Sequence, residues 1–259
     1  MPLFRKKTPP TPAPAAAPGP VANLNEWATP APVPATAADR AAVGAAGAAT
    51  SGLAGPKDST EVPDLGPRLD LGTLRVPVMP GMQVRMELDR ASQQVTGVTL
   101  MVEQPEGASS LQLQAFAAPR KQGIWDEIRE ELVESIKTAG GTVDDVPGPF
   151  GRELIARIIT GRSTDGPGAV KTVRFVGFDG PRWFVRGVFT GPAATDDAAA
   201  KTLEDLFRNT VVVRDASAMP PRDLLPLTLP GQPKPTEDPE PSKPTLDPFK
   251  RGPEITEIH

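Results

Sequence analysis

IWDEIREELVESIKTAGG, residues 124–141, decides the fold. Trp125, Ile128, Leu132, Ile136 and Ala139 recur at spacings of three and four, which puts them on one face of a helix. The other face is charged. Asp126 and Glu127 in the first turn and Lys137 in the last complement the helix dipole, and Gly140 or Gly141 supplies the left-handed residue that ends it. Such a helix needs an apolar surface to cover. Because the segments on either side read as strands, the predicted partner is a sheet.

Working outward, Leu74–Val78 and Gln83–Leu88 are short strands separated by the Pro80-Gly81 turn. Val95–Val102 and Leu111–Ala117 follow as a hairpin whose loop contains Pro105, Glu106 and Gly107. Beyond the helix, Thr142–Val146 reads as an edge strand, and the Gly148-Pro149-Phe150-Gly151 turn leads into a strand over Glu153–Thr160. Ala169–Phe178 and Arg182–Thr190 make the clearest hairpin, joined through Asp179-Gly180-Pro181. A second helix is predicted from about Asp196 to Arg208, with Ala199, Leu203, Leu206 and Phe207 inward and Asn209 as its stop. Val211–Val213 closes the pattern as a last strand. The class is α+β: a mainly antiparallel sheet with two main helices packed on a face. Hairpin, helix and short Val-rich strand occur twice, which reads either as an internal duplication or as the common habit of laying a helix across a hairpin.

A three-residue loop in the Ala169–Thr190 hairpin places Val173, Phe175, Trp183, Val185 and Phe189 on the core face. Arg174, Arg182 and Arg186 then share the opposite face, with Arg174 directly across from Arg186. Like charges opposed across a pair are unfavourable, so either acidic side chains neutralise them or the patch serves an anionic ligand or partner. These three arginines are the candidate anion or partner patch.

The chain has 33 prolines, concentrated towards its ends. Residues 1–63 are largely Ala, Pro, Gly and Thr, and 230–259 interleave Pro with charged residues and Thr, so both read as disordered arms around a single domain at 64–229. Leu24 and Trp27 stand out in the first arm as a candidate segment for recognising a partner. Arg5, Lys6 and Lys7 before an Ala-rich run imitate a secretory leader, but the run is broken by Pro and lacks Leu, Val and Ile; the expected location is cytoplasmic. No apolar run is long enough to span a bilayer, and no membrane partner is expected.

The side-chain inventory bounds the chemistry. The single histidine is His259, and there is no Cys and no Tyr, so Ser-His-Asp and Cys-His catalysis and Cys/His zinc sites lack their residues. Asp144 with Asp145, and Asp196 with Asp197, are pairs that could hold Mg²⁺, but such pairs are common by chance, and a solvated loop and a helix N-terminus are the preferred explanation. No phosphate-binding glycine motif is present. No catalytic, cofactor-binding or metal-ligating residue is assigned, and no cofactor is expected. Residues 64–229 carry 22 acidic and 19 basic side chains, which argues against a nucleic-acid partner.

GMQVRMELD, LQLQAFAAPRKQGIWDEIREEL, the GPFG turn, RFVGFDGPRWFVRGVF and MPPRDLLPLTLP together resemble an actinobacterial family, domain of unknown function 3710, from about Asp64 to Pro230. The resemblance brings no reaction, ligand or catalytic residue with it. More loosely, the order of elements is similar to Mog1/PsbP-type domains, antiparallel sheets with packed helices used mostly as binding or accessory modules. The expected function is a non-catalytic interaction or accessory module with an unknown protein partner. The alternative is a carboxylate-based, Mg-dependent enzyme acting on a phosphorylated small molecule.

Overall fold

The computed structural model describes residues 55–89, 92–120, 123–160, 169–214 and 218–231. Leu24 and Trp27, with the arm up to residue 54 and the tail from 232, lie outside the described residues.

The alternation of apolar residues produces two sheets. The larger has the order β4-β5-β6-β10-β9-β8-β7 and is antiparallel throughout. Its strands are β4 (Gln83–Leu88), β5 (Val95–Gln104), β6 (Gly107–Ala117), β7 (Thr142–Gly148), β8 (Gly151–Thr160), β9 (Ala169–Gly180) and β10 (Trp183–Thr190). The smaller sheet, ordered β1-β11-β3-β2, joins β1 (Lys57–Asp58), β2 (Arg68–Asp70), β3 (Leu74–Pro77) and β11 (Val211–Val212). Leu74–Pro77 and Gln83–Leu88 therefore do not pair around Pro80-Gly81: the turn carries the chain from one sheet to the other.

Helix α1 (Trp125–Thr138) buries Trp125, Ile128, Leu132 and Ile136 of the face its spacing predicts, whereas Ala139 is the exposed cap residue past the last turn, and Gly140 takes φ +82 beyond it. Helix α2 (Asp197–Arg208) is capped by Asp196, whose carboxylate accepts the Ala199 N–H at 2.7 Å. The helices lie on opposite faces of the large sheet, where the sequence predicts a shared one. Strand β10 shows the division: Phe184 and Val188 pack with the α1 side chains, whereas Trp183, Val185 and Phe189 pack with Leu203, Leu206 and Phe207 of α2 and with Leu74, Val76 and Val212 of the small sheet. The central strands are buried on both sides, so they read as near-continuous apolar runs. The two helix-bearing halves are also arranged differently, since β7 edges the large sheet and β11 belongs to the small one.

Two segments lie outside the predicted boundaries of regular structure. Lys57–Asp58, placed by composition in the arm, pairs in parallel with Val211–Val212, and the Trp183 indole N–H donates to Asp58 Oδ2 at 2.8 Å. A two-residue strand has no periodicity to read. At the other end, residues 222–228 form a strap. Ala117 N–H donates to Asp223 O (2.8 Å), Leu225 N–H to Ala115 O (2.9 Å), Leu227 N–H to Val95 O (3.0 Å) and Thr228 N–H to Leu71 O (2.9 Å), which stitches the two sheets together. Among the described residues, no helix is long and apolar enough to cross a membrane.

Candidate functional site

The hairpin carrying the three arginines closes in two residues, Pro181 and Arg182, where the sequence predicts three. Trp183 pairs with Gly180, and Arg182 adopts φ +68 in the turn. This shift moves Arg174 opposite Phe189 and Arg186 opposite Gly177. Arg174 consequently faces α2, Arg186 faces the α1 side, and Arg182 sits half-buried at the tip. The three form no common patch.

Arg174 lies in the interior and is neutralised there. Its Nε donates to Glu153 Oε2 at 2.6 Å and its Nη2 to Glu204 Oε1 at 2.7 Å, tying β9 to β8 and α2, while the guanidinium stands 5.1 Å from the Phe189 ring centre. Burial alone would lower the Arg174 pKa, but the two carboxylates more than offset it and the net direction is up. For Glu153, burial prevails over the arginine and raises its pKa from the ordinary 4.5. Neutralisation by acidic groups, one of the two outcomes open from sequence, is what Arg174 meets.

Arg186 is 1% exposed, hydrogen-bonded through Nη2 to Gln114 Oε1 and placed 5.5 Å from the Phe116 ring centre. Desolvation lowers its pKa to about 9. It stands beside the aromatic seat of α1, where Trp125 stacks on Phe184 at 5.7 Å and its indole N–H donates to Arg152 O at 2.7 Å. Trp125 lies flat on Gly177, where a Cβ would come within 2.2 Å of the ring. Trp125 and Trp183 are thus both core residues.

The two carboxylate pairs do not converge. Asp144 and Asp145 are neighbours on a strand, so their side chains leave on opposite faces. Asp144 meets Arg157 at 3.1 Å, and Asp145 meets Arg152 at 2.8 Å and Arg129 at 3.2 Å. Asp196 is the α2 cap and Asp197 is exposed in the first turn. Among the described residues, no group of three or more His, Cys, Asp or Glu is arranged to hold a metal ion.

The exposed surface of α1 is acidic. Glu127 and Glu131 are bridged at 2.6 and 2.7 Å by Arg222, at φ +73 in the strap. One turn round, Glu130 and Glu134 carry no ion pair among the described residues. They line an open groove of about 430 Å³ against β7, with Arg129, Val133, Lys137, Val143 and Asp145. Reading the helix as an exposed acidic face locates this surface, but neither Arg222 nor Asp179, whose carboxylate holds the start of α1, carries a sequence signal that pairs it with the helix.

Comparison with known proteins gives one positive result. A family described as "Protein of unknown function (DUF3710)" matches residues 55–236. No curated protein and no solved structure matches the chain.

Proposed function

Since the chain belongs to the DUF3710 family of proteins of unknown function, which lends it no reaction, we propose from geometry that it is a non-catalytic interaction module. Its α1 face, with the groove against β7, receives a cationic segment of a protein partner. The observation that supports this is how the charges are distributed. Interior ionisable groups are engaged in contacts between elements, Arg174 with Glu153 and Glu204 and Asp179 with the α1 backbone, whereas Glu130 and Glu134 remain available on the surface. A shallow open groove bordered by Glu130 and Glu134 suits side chains of a partner better than a small molecule, which needs an enclosing pocket. Leu24 and Trp27 extend the proposal as a second contact made by the arm.

The Mg-dependent alternative draws on the Asp144 and Asp145 carboxylates, which diverge and are each paired with arginine, so they offer an ion no shared site. The test is capture by the immobilised full-length chain. A partner retained by the native protein, released by salt and lost with Glu130→Lys plus Glu134→Lys, is the expected result. A Mg²⁺-dependent rise in melting temperature that disappears in Asp144→Asn would overturn it in favour of the enzyme.

A further inference from the structure

Among the described residues, the large sheet ends in two unpaired edges of opposite character. β7 carries Asp144, Asp145 and Pro147, the charges and proline that keep an edge from pairing with a copy of itself. β4 has no proline, and Val84 and Leu88 are 37% and 49% exposed. Val78 and Met79, in the segment entering β4, are 47% and 40% exposed. Among the described residues, the other large apolar side chains this open are Leu65, Ile159, Val170 and Leu229.

The backbone of β4 shows which groups are offered. Asp89 N–H donates to Gln94 O at 2.9 Å, so that pair is hydrogen-bonded, while Val95 O accepts from Leu227 and turns away from β4. Antiparallel pairs alternate between bonded and non-bonded, and the irregularity at Glu87/Leu88 places the extra residue, Thr96, in β5. Val84, Met86 and Leu88 therefore point their N–H and C=O groups out of the sheet. Their side chains share the face of Val98 and Leu100, and Arg85 and Glu87 lie on the other.

We infer that β4 pairs antiparallel with β4 of a second copy about a two-fold axis through Met86, making one continuous sheet across the dimer. Within β4, this is the register that sets opposite charges against each other. With Met86 opposite Met86, Val84 meets Leu88, Arg85 meets Glu87, and the three outward-facing residues become the bonded pairs. Sliding by one bonding step in either direction sets Arg85 against Arg85 or Glu87 against Glu87, which is unfavourable. A two-fold interface requires such self-complementarity.

Two experiments on the full chain test this. In sedimentation, the native protein is expected to reach twice the monomer mass as concentration rises. Arg85→Glu should raise the dissociation constant by about tenfold or more, and Glu87→Arg in the same chain should restore it by exchanging the charges. A monomer at every concentration, or a dimer indifferent to Arg85→Glu, overturns the proposal. Because the chain has no cysteine, register is read directly. Met86→Cys should form a disulfide-linked dimer on oxidation, whereas Val84→Cys should do so only together with Leu88→Cys. Equal cross-linking by Val84→Cys alone would also overturn it.

Discussion

The carboxylate of Asp179 accepts the backbone N–H of Ile124 at 2.8 Å, so a residue 55 positions further along the chain holds the first turn of α1. The helix has no cap of its own: Ile124 occupies the cap position and makes no side-chain bond there. Asp179 Oδ2 also accepts the Trp125 N–H at 3.3 Å, which fixes the helix where Trp125 meets Gly177. Asp179→Ala is expected to cost about 1–2 kcal/mol, the loss of a cap, measured by denaturant unfolding.

The same carboxylate gives a pH signature. Burial raises the Asp179 pKa from its ordinary 3.8 despite the two amide bonds. The folded chain therefore takes up this proton at higher pH than the unfolded one. Stability contributed by Asp179 grows as pH falls through its folded pKa and levels off below 3.8. Melting temperatures of the native protein and Asp179→Asn, compared from neutral pH downward, should shift in favour of the native protein. A difference independent of pH would contradict this assignment.

Arg174→Met leaves Glu153 buried without its cation and should destabilise by about 3–5 kcal/mol. Adding Glu153→Met removes the stranded charge, so the double variant should melt above the single one. A calorimetric series of the two variants checks the order.

Leu132 is 6% exposed between α1 and the sheet. Leu132→Ala should cost about 2–5 kcal/mol, whereas exposed Glu130→Ala should change stability by less than about 0.5 kcal/mol. Equal shifts in the two melting curves would refute the docking of α1.

The start of the domain is open to the same kind of measurement. A chain beginning at residue 64 lacks β1 and leaves the Trp183 indole N–H without Asp58. It should be less stable than one beginning at 55 by about 1–3 kcal/mol, the cost of a buried unmet donor.

What could be read in advance followed from how strongly each residue's role is encoded locally. Helix α1 was legible because Trp125, Ile128, Leu132 and Ile136 keep a helical period against a charged background. The β9–β10 hairpin was legible as a hairpin, but not in its register. Gly180-Pro181 has turn chemistry, and nothing local reveals that Arg182 takes a left-handed conformation. With both faces of these strands apolar, no alternation remained to correct the loop length, and an error there reassigns Arg174 and Arg186 to different faces. The partners of Arg174 come from β8 and α2, distances along the chain that a local pattern does not span.

The strap at residues 222–228 has a consequence for how the protein is made. Ala115 and Val95 emerge from the ribosome long before Leu225 and Leu227, the residues that accompany them in the finished sheet. Throughout translation the nascent chain carries an open seam at β5 and β6, a site where a holding chaperone can bind and a neighbouring nascent chain can intrude. A product released before the strap is synthesised keeps that seam, even though every helix and every long strand of the described residues is already present.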